Sequence, residues 1–212
     1  LYTFPGFISG RLIDLTASSR QLLPYLDIPL QHADPEVLRA MRRPSDVDWV
    51  RRTVTEMRAR IPALVLRTTL IVGFPNETEQ RFSALLNFLR EMQFDHVGVF
   101  TYSPEEGTPA EALGDPIPQA VKESRREELM TLQAGISMRK NQQLKNKVFS
   151  MLVEGTDPEH NIVVGRTYRD APEIDGLMIA EGKAQVGEML SVRVKAAMQH
   201  DLYGEVVPTS AA

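Results

Sequence analysis

The sequence predicts an α/β domain, part of a parallel barrel or doubly wound sheet, followed by a small all-β barrel. Three observations carry that prediction. Short apolar runs alternate with helical patterns over residues 1–145. One run, residues 64–72, is apolar on both faces and rich in β-branched residues, as a strand covered by helices on both sides requires. From Lys147 onward the hydrophobic period changes to two.

The first half reads as strand and helix in turn. A helix over residues 11–19 leads into an apolar run at 25–30 that predicts a buried strand. Asp34 followed by Pro35 predicts an N-cap and first helical residue. After Pro44, Val47, Val50, Val54, Met57 and Ile61 fall on one helical stripe. The strand at 64–72 follows, and Asn76 with Glu79 predicts a capping-box variant opening a helix that carries Phe82, Leu85, Leu86 and Leu89. A strand at 96–102 closes the series. A charged helix over 119–145 comes next, with Val121, Arg125, Leu129, Leu132 and Ile136 predicted to face inward.

Five short strands are then expected at 148–154, 161–167, 177–180, 189–196 and 204–207. Five strands in so short a span predict an antiparallel barrel of the oligonucleotide-binding kind. The domain boundaries expected are 1–145 for the α/β part with its connector helix and 146–208 for the barrel, with a frayed Thr-Ser-Ala-Ala tail.

Composition excludes several classes of function. The 212 residues contain no cysteine, so disulfides, a thiol nucleophile and thiolate metal sites are ruled out within this sequence. The four histidines are scattered, and no metal site is expected. No apolar stretch approaches the roughly 18 residues of a membrane span. The first residue is Leu1, and the opening Leu-Tyr-Thr-Phe-Pro lacks a signal-peptide pattern, so the chain is expected to be a piece of a longer one. Residues 147–212 hold six Lys/Arg against ten Asp/Glu, whereas 1–146 balance at eighteen of each. The acidic excess therefore lies in the barrel, where it would repel phosphate backbones and attract a basic protein.

Candidate site residues sit where strands end. Gly73, Phe74 and Pro75 join the both-face apolar strand to a helix start, at the carboxyl edge where α/β barrels build their sites. Gly73 allows close backbone approach, and free amides at the helix start can bind an anion or hydroxyls; a tight turn with no ligand fits the same residues. Arg67, inside the strand, needs either an acidic partner, Asp27 being the candidate, or a polar cavity with a ligand carboxylate. Gln31 closes the first strand and can both donate and accept. His32 is read as a satisfied loop residue. Arg39, Arg42 and Arg43 form a basic cluster that is either a solvated face or a carboxylate partner. Phe100 or Tyr102 can stack on a planar ligand, with core packing the favoured reading for Phe100. In the barrel, the loop at 165–176 brings Arg166, Tyr168, Glu173 and Asp175 together as candidates for docking a partner, or as a plain hairpin connection.

Asp-Ile-Pro-Leu-Gln-His at 27–32, Val-Leu-Arg-Ala-Met-Arg-Arg at 37–43, Arg-Thr-Thr-Leu-Ile-Val-Gly-Phe-Pro at 67–75 and Phe-Thr-Tyr-Ser at 100–103 together resemble the radical S-adenosylmethionine methylthiotransferases. The terminal barrel resembles a TRAM domain. The first motif, and the loop at 165–176, look most like the branch that modifies an aspartate of a small-subunit ribosomal protein. The resemblance implies a partial (β/α) barrel lacking its N-terminal strands, with this OB-like barrel behind it. It implies a cytoplasmic enzyme that attaches a methylthio group to the aspartate β-carbon, using a 5′-deoxyadenosyl radical to abstract hydrogen. By position, Gly73, Phe74 and Pro75 would contact the adenosine of S-adenosylmethionine, and Gln31 and Arg67 its polar groups. The implied partner is a basic ribosomal protein, with tRNA, the substrate of the sister branch, disfavoured by the acidic barrel. A non-catalytic module that binds a basic protein is the reading from another class. The family's two [4Fe-4S] clusters need cysteines that this sequence lacks, so the cysteine-bearing regions are expected upstream and this chain alone is expected to be inactive. A barrel without its first strands also exposes an edge, so self-association of the isolated chain is expected.

Overall fold

The computed structural model describes residues 3–208, so the expected fraying of the Thr-Ser-Ala-Ala tail lies outside the described residues. The chain divides into two compact units, the boundary falling between Gln133 and Ala134.

In the first unit the order is α1 (Gly10–Ser18), β1 (Tyr25–Asp27), α2 (Pro35–Ala40), α3 (Val47–Arg60), β2 (Val65–Val72), α4 (Glu79–Met92), β3 (His96–Thr101) and the start of α5 (Gln119–Gln142). The strands form a parallel sheet in the order β1-β2-β3, with Asp27 opposite Arg67 and Arg67 opposite His96. Parallel strands in sequential order joined through helices are the pattern of a barrel segment, for which right-handed connections are the rule. β2 is the buried centre: Leu66, Leu70 and Val72 are fully covered, as are Met57 of α3, Leu85 and Leu89 of α4 and Leu129 of α5. Each such side chain contributes roughly 1.5–3 kcal/mol on burial.

Local chemistry sets the boundaries. Asp34 caps α2 by accepting from the amides of Glu36 and Val37 at 2.9 and 3.0 Å, with Pro35 at the first helical position as expected. β1 stops at Asp27 rather than running to Leu30, because Pro29 has no N–H to give a ladder. The cap of α4 is Thr78, not Asn76: Thr78 Oγ1 accepts from the Arg81 amide at 3.3 Å, while Asn76 Nδ2 donates to the Glu36 carbonyl at 3.2 Å.

Two further expectations are corrected here. Val121 is exposed, and Lys122, only 1% exposed, takes its place inside. Phe100, expected in the core, is 59% exposed. Strand alternation explains it, since Val97 and Val99 point to the helix-covered face and Phe100 to the other.

The second unit contains the end of α5 and β4 (Val148–Asp157), β5 (Ile162–Arg166), β6 (Met178–Glu181), β7 (Met189–Ala197) and β8 (Leu202–Val207). They close a barrel in the order β4-β5-β6-β8-β7. It is not wholly antiparallel: β6 and β8 run parallel. Five strands in a closed ring cannot alternate direction all the way round, so one parallel pair is forced. The interior holds Met151, Val153, Val163, Met178, Val192 and Val194, with Leu144 closing one end. Gly165 is required where β5 crosses β4, because a Cβ there would run into the Leu152 carbonyl.

Candidate functional site

The carboxyl ends of β2 and β3 open onto a cavity of about 400 Å³. Its lining combines apolar Ile71, Phe74, Met41 and Tyr102 with polar Gln31, Arg42, Arg43 and Ser103. Phe74 and Tyr102 meet edge to face with ring centroids 5.0 Å apart. Gln31, at φ 74°, is stitched to β2 on both sides: its amide donates to the Thr69 carbonyl at 2.9 Å and its carbonyl accepts from Ile71 at 2.7 Å. That fixes its side chain at the cavity, where the buried Oε1 accepts no hydrogen bond. The buried Nε of Arg43 also has no acceptor, and burial lowers the pKa of this guanidinium. An aromatic wall with polar side chains in the same lining, two of them holding an unused acceptor or donor, suits a flat molecule that carries hydroxyl or amino groups.

A buried polar network holds the loops behind the cavity. Glu77, 3% exposed, accepts from the Gly73 amide at 3.0 Å, from Arg125 Nη1 at 2.7 Å and from His32 Nε2 at 3.2 Å. His32 Nδ1 accepts from the Asp34 amide at 2.9 Å, so its hydrogen resides on Nε2. This chain of bonds ties the β1–α2 loop, the β2–α4 turn and α5 together. His32 is thus the satisfied loop residue expected. The amides expected to be free for a ligand are not: Gly73 gives its N–H to Glu77, and Thr78 takes that of Arg81.

The sequence-derived candidates divide accordingly. Gln31 and Phe74 line the cavity; Gly73, Pro75 and Arg67 do not. Arg67 forms the ion pair with Asp27, Nη1 to Oδ2 at 2.9 Å, and reaches Thr69 at 3.3 Å. Arg39 pairs with Glu36 on the surface, whereas Arg42 and Arg43 reach the cavity. Within the barrel loop, Arg166 donates to Glu154 at 2.6 Å, Asp175 accepts from the Ala171 amide at 2.9 Å, and Tyr168 packs on the barrel core. Glu173 is exposed beside Ile174. Glu77 and Lys122 escaped notice in the sequence because single charged residues in a turn and on a charged helix carry no signal of burial.

Fold and sequence comparisons agree with one another. Residues 1–89 match the radical SAM superfamily model, and residues 147–207 the TRAM domain model. The structure resembles coproporphyrinogen III oxidase (HemN) from Escherichia coli, a radical SAM enzyme, with a TM-score of 0.53 at 14% identity, over 92% of this chain and 45% of that one. A radical SAM core joined to a TRAM barrel defines the class. Within it, the chain is 50% identical to the ribosomal protein uS12 methylthiotransferase RimO of Roseiflexus sp. (strain RS-1), over 100% of this chain and 45% of that protein. It is 46% identical to the protein of the same name from Microcystis aeruginosa, over 97% of this chain and 47% of the relative. Over nearly its whole length the chain is similar to the uS12 methylthiotransferases, and it spans about half the length of the curated relatives it matches.

The residues present fit one of the groups this family implies and not the other. The cavity, with its orphaned Gln31 Oε1, fits the adenosyl end of S-adenosylmethionine. A [4Fe-4S] cluster does not fit: the sequence has no cysteine, and the described residues contain no group of three metal-ligating side chains. Among the described residues no helix is long and apolar enough to cross a membrane.

Proposed function

We propose that this chain forms the adenosyl-binding wall and the TRAM barrel of an enzyme that methylthiolates the β-carbon of an aspartate in ribosomal protein uS12. The observation that carries the reading is 46–50% identity along nearly the whole chain to proteins bearing that activity in their names. S-adenosylmethionine, when bound, supplies the methyl group and the reactive fragment that activates the substrate C–H bond. The chain's own residues bind and orient it. Phe74, with the turn 73–75, shapes the side against which the base lies. Gln31 accepts from a hydroxyl or amine. Arg67, engaged by Asp27 on the sheet face it shares with Thr69 and Ile71, lies outside the cavity lining and steadies that face rather than touching the ligand. The two [4Fe-4S] clusters belong to polypeptide beyond these residues.

In this reading residues 1–145 are the core with its connector and 146–208 the docking domain. The acidic excess of the barrel favours a basic ribosomal protein over tRNA. Of the docking candidates Arg166, Tyr168, Glu173 and Asp175, the exposed Glu173 beside Ile174 is the best placed, since the others are engaged within the barrel. A chimera tests the proposal: the remainder of the Roseiflexus protein is joined to this chain, reconstituted with iron and sulfide, and offered uS12 and tRNA. Mass spectrometry should find one methylthio group on the uS12 aspartate. Modified tRNA with unmodified uS12 would favour the sister branch, and a chimera that loads clusters yet modifies neither would leave a binding module.

A further inference from the structure

Lys122 is a lysine with its side chain 1% exposed, a placement that is costly unless the ammonium is paired. Its Nζ donates to the Tyr102 carbonyl at 2.9 Å and to Asp115 Oδ2 at 2.6 Å, and lies 5.7 Å from the centroid of the Tyr102 ring. Its aliphatic stem lies over Gly73, where an added Cβ would overlap Lys122 Cγ and Cδ. One side chain thus touches the backbone beside both rings of the cavity wall, Gly73 next to Phe74 and Tyr102 itself. We infer that Lys122 is a positioning residue that sets the gap between the β2–α4 turn and the end of β3, and through it the shape of the aromatic wall that receives the ligand's base. The inference rests on the reading of the cavity proposed above.

A purely stabilising ion pair makes a different prediction. Replacing a buried pair by apolar groups of similar size is often neutral for stability. Lys122→Met keeps the stem over Gly73 and leaves Asp115, whose side chain is 35% exposed, to be hydrated. The fold should therefore persist while the Tyr102 carbonyl loses its donor.

The test uses the 212-residue chain and two readouts, amide hydrogen exchange and calorimetric binding of S-adenosylhomocysteine. In Lys122→Met, exchange in segments 71–75 and 100–104 should quicken about tenfold with the remainder unchanged, and affinity should fall about tenfold. Asp115→Asn retains the bond to Tyr102 and should shift both readouts about threefold, which keeps the test decisive where the methionine variant fails to fold. Unchanged exchange in the two segments overturns the inference, as does quickened exchange with the wild-type affinity. A wild-type chain that binds no S-adenosylhomocysteine overturns the cavity reading instead, and the exchange readout alone then decides whether Lys122 holds the wall.

Discussion

Gly73 shows how one residue can be essential without touching a ligand. Its φ of 79° is a conformation that side chains other than glycine adopt with strain, and the space where a Cβ would go is filled by the stem of Lys122. Gly73→Ala should cost more than about 1 kcal/mol in denaturant unfolding, before any effect on binding is measured. Glu77 is a harsher case. It is the acceptor for Gly73, His32 and Arg125 at once, so Glu77→Gln leaves a buried guanidinium short of its counter-charge and should cost about 3 kcal/mol by the same assay. Tyr102 adds a pH signature. Burial, and after it the negative charge of Asp115, holds its phenol above the ordinary value of 10.0. The fold thus favours the neutral phenol, a contribution that is complete below the unfolded pKa and is lost as pH rises through the folded one. Stability should fall more steeply above pH 10 in the wild type than in Tyr102→Phe, as thermal melts across alkaline pH would show.

Among elements, β3 is an edge strand with a large apolar side chain in the open. It pairs with β2 on one side, has no strand on its other side among the described residues, and carries Phe100 at 59% exposure. An open strand edge beside a large apolar ring is a template for pairing with another chain. The isolated chain should therefore self-associate, and Phe100→Lys should raise its monomer fraction in analytical ultracentrifugation. The same elements show what was legible beforehand. The stripe of α3 and both faces of β2 were readable because apolar residues at fixed spacing have one physical use. α5 was read in the wrong phase at its start. Its buried positions include 122, 125, 129, 133 and 136: Arg125, Leu129 and Ile136 were expected to face inward, whereas Lys122 and Gln133 are polar residues that periodicity treats as solvent-facing. The apolar Val121 took the place of its charged neighbour. The cavity was legible at Gln31, Phe74 and Tyr102, which follow strand ends, and at Arg42 and Arg43 of the basic cluster. The hub around Glu77 joins residues 45 and 48 positions apart, and no local pattern encodes such pairings.

At the scale of the whole molecule, two units with different periods and different charge share one polypeptide, and the question is where the barrel begins. A boundary proposed at 145/146 follows the change of period, which marks the first strand and not the last residue of the core. The hydrophobic interior of the barrel includes Leu144, 8% exposed, and Asn146 donates its amide to the Val194 carbonyl at 2.8 Å. Asn141 reaches the carbonyls of Met198 and Gln199 at 3.2 and 3.4 Å, so the end of α5 also fastens the β7–β8 turn. A polypeptide of residues 134–208 keeps all of these contacts. One of residues 146–208 loses the side chain of Leu144, whose burial is worth roughly 1.5–3 kcal/mol, together with the Asn141 hydrogen bonds at about 1 kcal/mol net each. The longer piece should unfold at a clearly higher urea concentration with a similar dependence on denaturant. Equal midpoints for the two would place the start of the barrel at its first strand, and α5 would then serve the barrel as a tether alone.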